Sequence, residues 1–139
     1  MNIAILASQF NKDIVDRLVA GAKKALQKAD LKAHQVKVFE VPGAFELPFA
    51  AQKIIDLKKF NGIVALGCIL KGETEHYEAV CGGVTYGIQK ISVEERFPIM
   101  LGVLMCRTQK QALARAQEDP EHNKGYESAM GLIHILNKF

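Results

Sequence analysis

The chain has 139 residues, of which 49% are hydrophobic and 24% charged, and its net charge is +3. That length accommodates one domain with its own core, and the balance is that of an ordinary globular protein. The small charge, with no run of clustered Lys/Arg and interleaved aromatics, argues against nucleic-acid binding, and no apolar stretch approaches the ~20 residues that span a bilayer.

Taken in chain order, the apolar period switches repeatedly between strand and helix. Residues 2–8 read as a buried strand, with no basic region before it to suggest a signal peptide. Asn11 is expected to cap a helix over 12–29, with Ile14, Leu18, Ala22, Ala25 and Leu26 on one side. Residues 35–41 read as a second strand, broken by Val41-Pro42-Gly43. A helix over 46–58 follows, and it tolerates Pro48 in its first turn. The third strand is expected at 62–67. The next helix, at 75–94, places Tyr77, Val80, Val84, Ile88 and Ile91 on one side. Pro98 opens a fourth strand over 99–104, and Thr108 or a neighbour starts a helix of 109–117. After the loop Asp119-Pro120-Glu121-His122-Asn123, the last helix runs over 124–137 on an apolar stripe of Ala129, Leu132, Ile133 and Leu136.

Alternating strand–helix units with continuous apolar strands predict a parallel sheet covered on both faces. The expected fold is a single domain over residues 1–139, an α/β three-layer αβα sandwich, flavodoxin-like in outline, on a four-stranded parallel sheet. Ligands of such sheets sit beyond the carboxyl ends of the strands. Four loops leave those ends, starting at Ser8-Gln9-Phe10-Asn11, at Val41 to Glu46, at Gly67 to His76, and at Met105-Cys106-Arg107-Thr108.

The Gly67-to-His76 stretch is the most suggestive. A glycine-bearing loop between strand and helix presents backbone N–H groups to an anion, and here a histidine stands in the first helical turn. Gly67 and Gly72 have the spacing of a phosphate loop, but Glu73-Thr74 stands where Lys and Ser/Thr are required, which argues against a nucleoside triphosphatase and leaves room for a smaller phosphate held by N–H groups. Gly72 suits the anion-binding turn, and Thr74 suits a helix cap. His76 sits where the helix dipole favours the neutral imidazole.

Elsewhere, Phe10 could stack on a flat heterocycle or fill a core or subunit interface. Phe45 suits a pocket wall or the core. Glu46 could bind hydroxyls or amines, or serve as a first-turn acid. Arg115, among apolar neighbours, suits bidentate phosphate contact or a surface ion pair. Lys124 enters a helix N-terminus, where a cation is locally unfavourable. Cys68, Cys81 and Cys106 lack any CxxC pairing and read as reduced, mostly buried thiols of a cytoplasmic protein. No His or Cys stands at metal-ligand spacing from another, so no metal site is expected.

Five of these pieces together resemble the lumazine synthase family. They are Ser8-Gln9-Phe10-Asn11, Val41 through Pro48, Gly67 through Glu78, Gln111 through Ala116, and Asn123-Lys124-Gly125. The resemblance covers essentially the whole chain. It implies condensation of a ribitylamino-pyrimidinedione amine with 3,4-dihydroxy-2-butanone 4-phosphate, with release of phosphate and no cofactor or metal. It assigns Phe10 to stacking on the pyrimidine, and Ala44, Phe45 and Glu46 to the ribityl chain. Cys68, Ile69 and Leu70 contact the heterocycle. Glu73 and Thr74 hold the phosphate with Arg115, and His76 shuttles protons. Gly72 and Lys124 support that region.

The chain departs from the family pattern in places. Leu101 stands where the family usually has Phe, which a neighbouring subunit lends to the pocket wall. Cys106-Arg107 replaces a commoner small or acidic pair. Many relatives also carry an N-terminal extension that adds a strand to a neighbour's sheet, whereas this chain starts at its first strand. The resemblance implies a homo-oligomer with interfacial sites, at least a pentamer, with a decamer or closed shell of pentamers open, and riboflavin synthase as a partner enzyme. The alternatives are an archaeal-type riboflavin synthase and a non-enzymatic flavin- or lumazine-binding shell protein.

Overall fold

The computed structural model describes all of residues 1–139. Four strands, β1 (Ile3–Ser8), β2 (Val36–Val41), β3 (Gly62–Leu70) and β4 (Ile99–Cys106), form one parallel sheet in the order β2-β1-β3-β4. Helices α1 (Lys12–Lys28) and α5 (Lys124–Lys138) cover one face, and α2 (Leu47–Asp56) and α3 (His76–Glu94) cover the other. The short α4 (Gln109–Ala114) follows β4. The expected three-layer sandwich is what the chain adopts.

The two central strands explain why their sequences are apolar without alternation. Every residue of β1 is buried, and so is all of β3 except its last residue. Alternate side chains of β1 enter the two cores: Ile3, Ile5 and Ala7 meet α1 and α5, while Ala4 and Leu6 meet α2 and α3. The helices present the stripes read from their spacing. Ile14, Leu18, Ala22, Ala25 and Leu26 of α1 are buried, as are Ala129, Leu132 and Ile133 of α5, with Leu136 half-buried beside them. Val84 and Ile88 of α3 are buried, and Tyr77, Val80 and Ile91 pack half-buried at the edges of that core.

Several boundaries differ from expectation, and one matters for function. β3 does not end at residue 67 but continues through Cys68, Ile69 and Leu70, because β4 also runs on to Cys106 and supplies pairing partners as far as Leu70↔Cys106. The register with β1 ends at Ala7↔Leu66. β3 therefore overhangs its inner neighbour, and the connecting loop shrinks to residues 71–75. Helix α2 starts later than expected, at Leu47, after a 3₁₀ turn over Ala44–Glu46. Helix α4 stops at Ala114, so Arg115 ends it rather than lying inside it. Thr108 caps α4 as expected, accepting from the Gln111 N–H at 3.2 Å, while the Gln111 side chain returns to the Thr108 N–H.

Asn11 does not cap α1 through its side chain. It adopts a left-handed backbone (φ 57°, ψ 45°), and its amide is used elsewhere. The cap of α5 is Asn123, which is buried: its oxygen accepts from the Tyr126 N–H at 3.0 Å and its amide donates to the carbonyls of Arg17 and Gln117. One side chain thus satisfies an orphan helix donor and fastens the start of α5 to α1.

Candidate active site

The carboxyl edge of the sheet is clamped by bonds between loops that are remote in sequence. The Gln9 N–H donates to the Val41 carbonyl at 2.8 Å and the Phe10 N–H to the Pro42 carbonyl at 3.0 Å, so the exit of β1 lies along the exit of β2. The Asn11 amide donates to the Cys68 carbonyl at 2.8 Å, which fastens the same turn to the overhang of β3. Phe10 is 72% exposed and Phe45 is 61% exposed, so neither ring serves the core of its own chain. The Phe45 ring lies over Gly83 of α3, where an added Cβ would come within 2.8 Å of Cε2. Ala44 is buried, and the exposed Glu46 folds its carboxylate back over Gly43.

Beneath this rim, Gly67 meets Ser8. A Cβ on Gly67 would stand 2.8 Å from Ser8 Oγ and 3.6 Å from both the Ala44 and Leu47 side chains. The Ser8 hydroxyl is buried and has no hydrogen-bond partner. Cys68 and Ile69, read as contacts for a heterocycle, turn their side chains into opposite cores and are 2% and 8% exposed. Both side chains are thus taken up by packing, and Leu70 is half-buried at the edge of the core shared with α1 and α5. Burial pushes the Cys68 thiol up to about 12, with the nearby Cys106 adding to the effect. Cys106 is also raised by burial, partly opposed by the positive charge of Arg115. Both are packing groups rather than nucleophiles. All three cysteines are free, and Cys81 is half-buried.

The loop of residues 71–75 is where the chain leaves donors open. The Lys71 N–H is taken by the Cys106 carbonyl at 3.0 Å. The N–H groups of Gly72, Glu73, Thr74 and Glu75 form no hydrogen bond within the chain. Thr74 was expected to cap α3, but the cap position is Glu75. The Thr74 hydroxyl instead accepts from the His76 N–H at 3.3 Å. His76 is the first residue of α3 and is exposed, outside the stripe of Tyr77, Val80, Val84, Ile88 and Ile91. A set of unused amides, a hydroxyl and an imidazole therefore occupy the positive end of a 19-residue helix.

Beside them Lys71 pairs with Glu78 and lies 5.2 Å over the Tyr77 ring. The Lys71 hydrogen bond is the main reason the Glu78 carboxyl lies below its ordinary range. The Glu78 N–H assists, and the charge of Arg107 adds a little. Arg115, at the end of α4, is exposed and donates from Nη1 to the Gln111 carbonyl at 2.8 Å; no hydrogen bond joins it to the 71–76 loop. Lys124 donates its N–H to the Arg115 carbonyl at 2.9 Å, and its ammonium pairs with Glu127 at 2.9 Å. That ion pair relieves the unfavourable placement of a cation at the start of α5. Leu101 is not at this edge. It is a half-buried residue of β4 facing α2 and α3, five positions before Cys106, or about 16 Å along the strand.

The structure thus brings together Phe10, Ala44, Phe45 and Glu46 around one pair of loops, with Cys68 to Leu70 tied to them through Asn11. Gly72, Glu73, Thr74 and His76 follow along the same edge. Arg115 and Lys124 form a separate pair, and Leu101 stands apart. Sequence reading missed Asn11 as a clamp, and Lys71, Tyr77, Glu78 and Arg107 as neighbours of the loop. The signal for the last four was the apolar character of Cys68-Ile69-Leu70, which continues the strand and moves these residues to its edge.

A family model described as 6,7-dimethyl-8-ribityllumazine synthase matches residues 1–139. Curated relatives carry the same name. One from Pediococcus pentosaceus is 42% identical over 137 residues, covering 99% of this chain and 87% of the relative. One from Leuconostoc mesenteroides is 41% identical with the same coverage. One from Coxiella burnetii is 38% identical, covering 96% of this chain and 88% of the relative.

Proposed function

The chain belongs to the 6,7-dimethyl-8-ribityllumazine synthase family, and from that premise we propose how its residues divide the work. It is a transferase of riboflavin biosynthesis. It condenses 5-amino-6-(D-ribitylamino)pyrimidine-2,4-dione with 3,4-dihydroxy-2-butanone 4-phosphate to 6,7-dimethyl-8-ribityllumazine, releasing phosphate.

One observation carries the assignment of the site: four consecutive unused amides, Gly72 to Glu75, directly precede His76 at the mouth of α3. Amides at a helix N-terminus bind phosphate through N–H donors and the helix dipole together. The exposed Glu73 is compatible with this when its N–H faces the anion and its carboxylate turns to solvent, an arrangement that weakens its repulsion without removing it. The Thr74 hydroxyl already accepts from the His76 N–H, so its own proton is available to a phosphate oxygen. With the phosphate seated there, the butanone carbon chain lies within reach of His76, which takes a proton from the attacking amine and returns it to the carbonyl oxygen as that oxygen leaves as water, before phosphate is eliminated and the ring closes with loss of a second water. Phe10 stacks on the pyrimidine, while Ala44 and Phe45 line the ribityl chain and Glu46 accepts from its hydroxyls. The reaction then draws mainly on holding two small reactants together, an effect that reaches about 7–11 kcal/mol when alignment is good.

The site is completed by a second copy of the chain in this reading. Phe10, Phe45, Phe49 and Tyr86 are each at least 61% exposed, and Val93 is 63% exposed, along the β1 exit, α2 and α3. Such apolar surface on one side of a monomer is characteristic of subunit contact. Leu101 is too far along β4 to wall the site of its own chain, so it serves a neighbour's, and Arg115 and Lys124 reach the phosphate in the same way. At least a pentamer is proposed, in the cytoplasm, with no metal or cofactor in the reaction. No helix is long and apolar enough to cross a membrane.

The test is direct. Purified protein given both substrates should form the lumazine chromophore with one phosphate released per turnover. Given the lumazine alone, it should form no riboflavin. Riboflavin from lumazine alone would identify a riboflavin synthase, and neither product would leave a binding or shell protein.

A further inference from the structure

We propose that Arg107 is a specificity-determining residue for the phosphate substrate, a positive gate beside the amide seat at the mouth of α3. The inference rests on the phosphate-seat reading above and extends it to a residue which that reading leaves unused.

The argument begins with the charges of the seat. The segment Lys71 to Glu78 carries three carboxylates, Glu73, Glu75 and Glu78, against one ammonium. That ammonium, Lys71, is paired with Glu78 and turned over the Tyr77 ring. A dianionic phosphate approaching the amides of Gly72 to Glu75 therefore meets Glu73 and Glu75 with no free cation on the same segment. The amides alone supply partial charges, which like-charged neighbours within a Debye length oppose.

The missing positive charge stands on the adjacent strand. The register Leu70↔Cys106, continued by the bond from the Lys71 N–H to the Cys106 carbonyl, puts Arg107 next in line beside Lys71. Its main chain is fixed, because the Arg107 N–H donates at 2.9 Å to the Gln111 side chain, which also closes the cap of α4. Its side chain forms no ion pair, and the residue is exposed. Its charge is felt by both Tyr77 and Glu78 in the first turn of α3, the turn that opens onto the seat. Arg115, which the proposed function gives to the site of a neighbouring copy, donates within its own chain to the Gln111 carbonyl and leaves this flank of the seat to Arg107. Arg107 is thus an anchored cation without an ion pair, set by strand register beside the loop that carries an anion seat flanked by acids. A planar guanidinium is suited to guide and hold a phosphate there.

The experiment compares the wild-type protein with R107Q, R107K and K28Q. Lys28 lies at the far end of α1, away from the carboxyl edge, and controls for bulk charge. Steady-state kinetics at low and high ionic strength should show R107Q raising the KM for 3,4-dihydroxy-2-butanone 4-phosphate about threefold to fivefold at low salt, the size expected of one exposed charge interaction. The difference should shrink at high salt, kcat and the pyrimidine KM should stay put, and R107K should stay close to wild type. Calorimetric titration with inorganic phosphate should show the same loss of affinity in R107Q, independently of turnover. Equal changes in both KM values, an effect matched by K28Q, or unchanged phosphate affinity would overturn the role of Arg107. If the wild type forms no lumazine, the broader reading fails, and the phosphate titration still decides the point for Arg107.

Discussion

Asn11 donates its side-chain amide to the Cys68 carbonyl across 2.8 Å, so the turn that carries Phe10 is fastened to the overhang of β3 that leads to the 71–75 loop. The same residue holds a left-handed backbone at φ 57°. Asn11→Ala loses the bond, strands a part-buried carbonyl and places a Cβ-bearing residue without Asn's tolerance at that φ. It should cost about 1.5–3 kcal/mol. Asn11→Gly restores the backbone freedom and should cost about half as much. Chemical denaturation of the two variants separates the bond from the backbone; a Gly variant as stable as the wild type would remove the bond from the account.

Ser8 and Gly67 form a second pair beneath the site. Because the Ser8 hydroxyl is buried without a partner, Ser8→Ala should be neutral or slightly stabilising. Gly67→Ala would force a Cβ to 2.8 Å from that hydroxyl and should cost about 1–3 kcal/mol. Combining Gly67→Ala with Ser8→Gly removes the clashing oxygen and should recover part of the loss. Denaturation midpoints of the double-mutant cycle measure this; strict additivity would mean the two residues do not press on each other.

His76 is an exposed first-turn residue with a proton-transfer task in the proposed reaction. One positioned proton carrier contributes roughly 10²–10⁴-fold, and a reaction dominated by positioning should sit at or below the low end. His76→Ala should therefore slow turnover by up to about 100-fold and leave measurable product. Complete loss of lumazine formation with assembly intact would contradict positioning as the main source of catalysis.

Glu78 links the stability of this edge to pH. Its carboxyl lies below its ordinary value of 4.5, chiefly through the Lys71 hydrogen bond. A depressed carboxyl stabilises the fold above the ordinary range and loses that contribution as pH falls through the folded value. Glu78→Gln should thus lower the melting temperature slightly at neutral pH, and the deficit should close as the pH falls below about 4. A deficit that persists undiminished in acid would show that shape rather than charge matters at this position.

The helices and strands were legible because their periods are plain. Ile14, Leu18 and Ala22 recur at helical spacing, and β1 is apolar throughout because both of its faces are covered. The candidate site was legible in outline, since the four loops follow from the rule for parallel sheets and the 71–75 loop draws notice through its glycine and the histidine after it. What escaped depends on register. Gly67 looked like the start of a loop, but strand pairing with β4 overrode the glycine and carried the sheet three residues further. Asn11 has the composition of a helix cap, yet a carbonyl 57 residues away claimed its amide. Arg107 meant nothing by itself until the pairing of β3 with β4 set it beside Lys71.

The account turns on the open amides ahead of His76. Crystals of the protein soaked in inorganic phosphate test them most directly. The anion should lie on the N–H groups of Gly72 to Glu75 with the Thr74 hydroxyl as a further contact, at donor–acceptor distances of about 2.7–3.2 Å. Density for phosphate at another part of the carboxyl edge, or a 71–75 loop whose amides turn inward to the chain, would contradict it.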